Sequence, residues 1–239
     1  MNRMARPLMA MLVSGLLVAA APRPAAAIQG CTLNDPDRDI RRLFPASTDY
    51  RTMFIALSDR GGDADRSWLA SRLGVELDPV YEAVDLPYAY YEVLKGKEVL
   101  GFVFGVNQKG RYGGMQVILA TDPKGVIIDA YFQKLSTPAR KAFVAESFIG
   151  QFKGLSLKDF YFHQGYRDMG KTPDADRIAA IAPPKDDGDA TAQDFRATLR
   201  GVKKALILFD HFWLGDQHEA TWRKVRTIVD DKDTGGNTP

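Results

Sequence analysis

Apolar and polar positions alternate in short runs through the middle of the chain, and glycine-containing turns separate the runs. Residues 88–94 and 99–106 flank a Lys-Gly-Lys turn, and residues 115–121 and 126–132 flank an Asp-Pro-Lys-Gly turn at 122–125. Proline at the second turn position and glycine at the fourth are typical of a β-turn. Parallel strands need a crossover of a dozen or more residues, so links this short join antiparallel strands. The pattern therefore predicts two β-hairpins.

Helical periodicity precedes the hairpins. Residues 35–44 and 48–57 each predict a short helix, and Pro45 separates the two. A third helix is expected to begin at a cap provided by Asp63 or Asp65 and to end at the next glycine.

Helical periodicity also follows the hairpins. Residues 144–155 predict an amphipathic helix, and residues 158–194 predict a loop-rich region with three prolines. Asp194 is the expected N-cap of a last helix. The apolar stripe of that helix follows a 4-3-4-3-4 spacing and consists of Phe195, Leu199, Val202, Leu206, Phe209 and Trp213. Together these elements predict an α+β fold, in which one antiparallel sheet of hairpins packs against helices on one face as a single domain.

The N-terminal residues resemble a secretory signal. Arg3 and Arg6 precede a mostly apolar segment, and three alanines at 25–27 form a small-residue cleavage site. The sequence therefore predicts a signal peptide over residues 1–27 and export to the periplasm.

Cys31 is the only cysteine of the chain, so it cannot form an internal disulfide. Residues 28–31 read Ile-Gln-Gly-Cys, which loosely resembles a bacterial lipobox. Two interpretations stay open: a lipid anchor at Cys31, or a free thiol on a flexible N-terminal segment.

Beyond the signal, the pattern divides the chain into three parts. Residues 28–87 form an N-terminal helical segment, residues 88–215 form the sheet-containing domain, and residues 216–239 form a C-terminal segment. The polar stretch from Asp230 lacks aromatic residues and is predicted to be a disordered tail.

Charge and motif content limit the function classes. Lys plus Arg number 32 and Asp plus Glu number 30, so no strong field favours nucleic acid. No catalytic motif and no metal site are predicted from the three histidines. Lys203 and Lys204 are interpreted as ordinary solvated charges.

The link between the two hairpins is the best candidate for a ligand platform. Gly113 and Gly114 let a flat ligand approach the backbone closely, and the side chains of Tyr112 and Met115 could stack on the ligand or pack at its edge. A β-bulge and ordinary packing are the competing explanations.

Here the sequence shows a family resemblance. Tyr112-Gly113-Gly114, the turn at 122–125 and Thr137-Pro138 are similar to the FMN-binding domains of the Rnf complex G subunit and of the C subunit of sodium-translocating NADH:quinone reductase. The resemblance implies a periplasmic domain that holds FMN through a phosphoester on a threonine just before the last helix.

Two threonines are candidates for that attachment. Thr191 precedes the expected Asp194 cap, and Thr198 lies one turn inside the helix. Thr191 is preferred because of its place relative to the helix. The motif is degenerate, because Gly188 and Asp189 replace the serine and glycine of the family.

Two functions follow from the resemblance. In the first, the chain is an exported FMN-binding-like protein that carries electrons between a membrane redox partner and a periplasmic acceptor. In the second, it is a periplasmic binding or accessory protein, for assembly or delivery, which uses the same scaffold without covalent flavin or redox activity. Neither role requires turnover of a small substrate, so the sequence favours an electron-transfer or accessory protein over an enzyme.

Overall fold

The hairpins predicted from the turns are confirmed in the computed structural model, which describes residues 31–234 except 62, 84 and 186–188. The predicted signal peptide lies outside these residues. In the described part, five strands form one antiparallel sheet in sequence order. The strands are β1 (Asp49–Ile55), β2 (Tyr88–Lys95), β3 (Glu98–Lys109), β4 (Gly114–Thr121) and β5 (Ile127–Leu135). The fold is therefore α+β, as predicted.

Seven α-helices accompany the sheet in the same part of the chain. They are α1 (Pro36–Leu43), α2 (Asp63–Leu73), α3 (Arg140–Phe143), α4 (Glu146–Ile149), α5 (Leu157–Asp168), α6 (Asp189–Phe209) and α7 (Glu219–Thr234). None of the helices among the described residues has both the length and the apolarity of a membrane span.

The long helix α6 packs across one face of the sheet. Alternate strand residues such as Phe102, Phe104 and Val117 point to this face and are buried. The ring of Phe209 stacks on Phe104 with centroids 4.6 Å apart. The apolar stripe predicted for the last helix is thus core packing, since Val202, Leu206 and Phe209 are buried in the same cluster.

The other face of the sheet is covered by the N-terminal segment. Ile40 and Leu43 of α1 pack with the intervening strand residues, among them Val103 and Ile118, in a second buried cluster. Both faces therefore carry helices, whereas the sequence predicted helices on one face only. The strand alternation decides this outcome, because both sets of alternate positions in the central strands are apolar and need cover.

Residues 48–57 were expected to form a helix, and this prediction is wrong. They contain β1, which pairs antiparallel with β2 from Asp49 opposite Leu94 to Ile55 opposite Tyr88. Tyr, Thr, Phe and Ile favour strands, and the free edge of β2 supplies hydrogen-bond partners that outweigh the weak helical spacing.

Two further helix predictions differ from the structure. The predicted helix at 144–155 is shortened to α4 and a 3₁₀ turn over Gly150–Phe152, because the backbone is extended at Ala145 before α4 and at Lys153 after the turn. The predicted loop region contains α5. Its start is a capping box, in which the Asp159 carboxylate accepts hydrogen bonds from the backbone N–H of Ser156 at 2.8 Å and from its hydroxyl at 2.9 Å.

Helix α6 also begins earlier than predicted. It starts at Asp189, so Asp194 lies inside the helix and is not its N-cap. After a π-helical turn over Asp210–Leu214, Gly215 adopts a left-handed conformation and ends the helix, as its sequence position predicted. Helix α7 continues to Thr234 through the start of the stretch predicted to be disordered.

Candidate functional site

The glycine-rich link between β3 and β4 meets the first turns of α6, as the ligand hypothesis requires. The carboxylate of Asp194 makes the connection, because its Oδ1 accepts a hydrogen bond from the backbone N–H of Arg111 at 2.6 Å. Asp194 is completely buried. The side chain predicted to cap the helix therefore holds the link.

The link is a tight loop closed on itself. The N–H of Gly110 donates to the carbonyl of Gly113 at 2.8 Å, and Gly113 has a φ of 139° that favours glycine. A Cβ on Gly110 would lie 2.8 Å from Oδ1 of Asp194. The absence of a side chain at Gly110 therefore lets the carboxylate approach the loop.

Met115 and Thr198 lie directly beneath this loop, and both are buried. The Thr198 hydroxyl donates to the carbonyl of Asp194 at 2.8 Å and lies 4.0 Å from the Met115 sulfur. Thr198 thus satisfies its hydroxyl within α6, which suits a packing role. Met115 is part of the core and is not positioned at the surface of the link.

Thr191 lies in the first turn of α6, one turn before Asp194, and only 5% of its surface is exposed. Positions three and four apart share a helix face, so Thr191 lies on the same side of α6 as Asp194 and Thr198. Residues 186–188, which include the glycine of the degenerate motif, are outside the described part. The preferred attachment residue is therefore near the link but buried.

The remaining predicted residues surround the loop. Tyr112 is exposed on 54% of its surface, and a Cβ on Gly114 would lie 3.3 Å from the hydroxyl of Tyr81. Thr137 is half-buried on the chain that follows β5. A Cβ on Gly113 would lie 3.4 Å from the Cβ of Ser136, so this following chain borders the link.

Two buried oxygen atoms near the link bear on whether FMN could bind there. Oδ2 of Asp194 and Oγ1 of Thr137 have no hydrogen-bond partner among the described residues. A carboxylate oxygen accepts from an N–H or hydroxyl donor, and a flavin carries both, on its ring and on its ribityl chain. The two oxygens match donors on the ring and ribityl chain of FMN in chemistry, and both atoms are buried beneath the surface of the link. A phosphate does not fit here, because the Asp194 carboxylate already occupies the amide of Arg111 and would repel a second anion.

Sequence reasoning missed a cluster of buried charges. Lys204 and Glu82 are both completely buried and lie 2.9 Å apart. Arg200 contacts the same carboxylate at 2.8 Å, and the ammonium of Lys204 also donates to the carbonyl of Asn107 at 2.7 Å. Burial works to raise the pKa of Glu82, but the two cations outweigh it and hold the pKa below its usual range. The interpretation of Lys204 as a solvated charge is wrong, because tertiary contacts supply a partner distant in sequence.

Lys203 is also buried, with 9% of its surface exposed, so its interpretation as a solvated charge is wrong too. Its ammonium donates to the carbonyl of Leu73 at 3.2 Å and to the side chain of Gln164. Two adjacent lysines on one helix normally indicate a solvent-exposed face, and no local signal distinguishes this buried pair from an exposed one.

Cys31 lies against the second face of the sheet and is 2% exposed. Burial raises the pKa of its thiol to about 12. A Cβ on Gly105 would lie 2.8 Å from the sulfur, so the thiol occupies space that this glycine provides.

No protein-family model matches the chain, and no curated protein matches it significantly. Among solved structures, the crystal structure of NqrC from Shewanella oneidensis is similar to it, with 15% sequence identity and a TM-score of 0.44. The match covers 83% of this chain and 91% of the other. Both measures are low.

Proposed function

We propose that this chain is an exported flavin-binding protein that carries electrons between a membrane redox partner and a periplasmic acceptor, with FMN as its cofactor. The observation that carries the proposal is the convergence of the glycine-rich link with α6 beside two buried oxygens that lack partners. Buried polar groups cost free energy unless they are hydrogen-bonded, so such a pair of atoms favours a polar ligand.

The chain offers a distinct role for each residue near the link. The exposed ring of Tyr112 would stack on the flavin ring, and the backbone of Gly113 and Gly114 would allow close approach. Oδ2 of Asp194 would accept a hydrogen bond from a ring N–H or a ribityl hydroxyl. FMN supplies the electron-transfer chemistry when bound, and these contacts would orient the ring and limit its exposure to water.

The surroundings of Thr191 bear on how FMN would be held. Its burial and its place on the same helix face as the Asp194 carboxylate disfavour a phosphoester at this hydroxyl. We therefore favour reversible binding of FMN over covalent attachment.

A second candidate is an accessory protein for assembly or delivery that uses the scaffold without flavin. The hydrogen bond from Arg111 to Asp194 favours it, because the protein's own carboxylate fills the amide position that a ligand anion would take. Under this hypothesis the hydrogen bond serves only to fix the link to α6.

Export and a lipid anchor at Cys31 belong to the same proposal. A lipidated sulfur must reach the membrane surface, so an anchored protein would have to release Cys31 from the sheet face where it is buried. Cell fractionation of the full chain and of a Cys31→Ser variant tests both points. If the chain is exported, wild type and Cys31→Ser should both be found outside the cytoplasm. If Cys31 also carries a lipid anchor, wild type should sediment with membranes and Cys31→Ser should not.

The decisive experiment for the flavin uses two preparations of the protein, one produced alone and one produced together with a flavin transferase. Each preparation is titrated with FMN, and its absorbance spectrum and intact mass are measured. Reversible binding predicts saturable quenching of FMN fluorescence and an unchanged mass. Tyr112→Ala should weaken FMN binding about tenfold, since base–aromatic stacking of this kind is worth roughly 1–3 kcal/mol.

Tyr166→Ala, a half-buried tyrosine on α5, is the matched control and should bind FMN like wild type. An FMN-sized mass increment that disappears in Thr191→Val would establish covalent attachment instead. A colourless protein that does not bind added FMN would overturn the electron-carrier proposal and leave the accessory function.

A further inference from the structure

A cavity of about 360 Å³ lies on another side of α6 from the glycine-rich link. It opens to solvent and is bordered by the C-terminal end of α2, the helix α5 and the middle of α6. Its volume falls within the range of small-molecule sites. The link residues Asp194 and Thr198 do not line it.

The cavity contains more positive than negative side chains. Arg167 and Arg196 line it, and the guanidinium groups of both have no ion-pair or hydrogen-bond partner within the described residues. Arg200 also lines it but is paired with Glu82, a carboxylate that it shares with Lys204. Asp168 is the only carboxylate among the described residues of the lining, and it lies 3.8 Å from Arg226.

Lys203 adds a buried ammonium to this wall. It donates two hydrogen bonds to protein oxygens, on Leu73 and Gln164, which leaves a third N–H of the ammonium for a ligand. Burial lowers its pKa to about 7, with Asp168 opposing and Arg200 and Arg167 adding to the shift. An anion in the cavity would favour the protonated form.

The rest of the lining is apolar and would contact a hydrocarbon or aromatic body. It comprises Leu73, Val75, Phe160, Ile178 and Leu199. A polar cluster at one wall and apolar side chains elsewhere are typical of a site for an amphipathic small molecule.

We propose that this cavity binds a phosphate monoester with a small apolar body, whose phosphate lies among Arg167, Arg196 and Lys203. Two guanidinium groups and an ammonium match a dianion better than a carboxylate, because the dianion compensates two of the three positive charges and the carboxylate only one. Guanidinium groups also bind phosphate oxygens in pairs. The inference does not depend on the flavin proposal, because it uses different residues on a different side of α6.

The test is calorimetric titration of the full mature chain with phenyl phosphate at pH 7, with phenol and inorganic phosphate as partial ligands. Phenyl phosphate should bind more tightly than either part. Arg196→Gln should weaken it about tenfold or more, since a charge-assisted hydrogen bond contributes roughly 1.5–3 kcal/mol. Arg196 is exposed, so this variant is expected to fold. Arg51→Gln, on the distant edge strand β1, is the matched control and should bind like wild type.

Lys203→Met gives a second, independent variant. It should weaken binding, and it should also remove the loss of affinity that we expect for wild type as the pH rises above 7. The other groups that face this ammonium are Arg167, Asp168, His163 and the ring of Tyr161 from α5 and Arg200 from α6, while α2 contributes the carbonyl of Leu73. His163 is paired with Asp176 at 2.8 Å.

Three results would overturn the proposal: no saturable binding of phenyl phosphate, equal affinity in wild type and Arg196→Gln, or an equal loss in Arg51→Gln. FMN is itself a phosphate monoester, so it could bind in the cavity as well as at the link. Titration of the variants with FMN distinguishes the two sites. Weaker FMN binding in Arg196→Gln but not in Tyr112→Ala would support the cavity and overturn the placement of flavin at the link.

Discussion

Several ionisable side chains in the described part of the chain are buried, and the burial of Glu82 and Lys204 is explained by their contacts with each other and with Arg200. Glu82 belongs to the connection before β2 but contacts two cations of α6, so one carboxylate fixes this connection to the long helix. Lys204 extends the contact to the backbone of β3 through Asn107. Desolvation makes such groups costly alone, and their mutual contacts make the arrangement tolerable.

Removing the charge of Glu82 should therefore be strongly destabilising. Glu82→Gln leaves Lys204 buried without a counter-ion, and we expect the free energy of unfolding to fall by about 3 kcal/mol. Urea denaturation followed by circular dichroism measures the change. Glu98→Gln, at the exposed start of β3, is the control and should change stability by less than about 0.5 kcal/mol. Equal stability of Glu82→Gln and wild type would contradict the role of the ion cluster.

Lys203 predicts a pH dependence of stability. Its pKa is about 7 in the folded chain and about 10.4 when unfolded, so between these values the unfolded state binds more protons and this lysine's contribution to stability rises with pH. The cost of burying the charge is greatest at and below pH 7. Relative to wild type, Lys203→Met should therefore be more favourable at pH 6 than at pH 9, by about 3 kcal/mol.

Urea denaturation of wild type and Lys203→Met at both pH values gives this difference directly. Lys141→Met, at an exposed position, serves as the control. If the stability difference between wild type and Lys203→Met is the same at both pH values, the ammonium is not desolvated in the folded state.

The thiol of Cys31 should be inert in the native protein. The thiolate is the reactive form, and burial both raises the pKa to about 12 and blocks access of a reagent. Native protein should react with Ellman's reagent at least about a hundredfold more slowly than protein in denaturant. Rapid labelling of the native chain would show that the segment around Cys31 leaves the sheet.

At the scale of elements, close contacts across the sheet explain where glycine is required. A Cβ on Gly101 would lie 2.1 Å from the carbonyl oxygen of Thr121 and 2.9 Å from the ring of Phe44. The first of these atoms belongs to the backbone of β4, so it cannot move aside without disrupting the strand pairing.

Gly101→Ala should consequently destabilise the fold by more than about 2 kcal/mol, through overpacking. The comparison variant is Gly170→Ala, where φ is 64° but no atom lies within 4 Å of the added Cβ. That change should cost about 1 kcal/mol, from backbone strain alone. Thermal or urea unfolding ranks the two, and a smaller effect at Gly101 would contradict the described strand register.

The success of sequence reasoning also differed among elements. The hairpins were predictable because their turns contain proline and glycine at defined positions, which are local signals. The strand β1 was not, because an edge strand with mostly exposed residues has weak alternation and forms only when β2 provides a partner. The helix α5 was missed because the prolines of its region were taken to indicate a loop. The spacing of Ser156 and Asp159 is a helix-capping signal that could have revealed it.

The whole molecule depends on cover for both faces of the sheet. The division into residues 28–87 and 88–215 separates segments that the structure joins, because β1 is paired with β2 and α1 packs on the second face. The sheet of residues 88–234 alone would expose the apolar side chains of that face to water.

We therefore expect a fragment of residues 88–234 not to fold by itself. It should lack a cooperative unfolding transition and bind a hydrophobic dye, whereas residues 28–234 should unfold cooperatively. Calorimetry of the two fragments tests this expectation. A cooperative transition in the shorter fragment would show that the N-terminal segment is dispensable.

The sequence alone determined the α+β class, the hairpins and the apolar stripe of the last helix, because these depend on turn residues and on periodicity along the chain. The tertiary structure decided which face each segment covers and which charged residues are buried. It turned Asp194 from an expected helix cap into the side chain that holds the glycine-rich link. It also placed Lys203 and Arg196 in one cavity. These outcomes depend on the free energy of contacts between residues far apart in sequence, which no local pattern records.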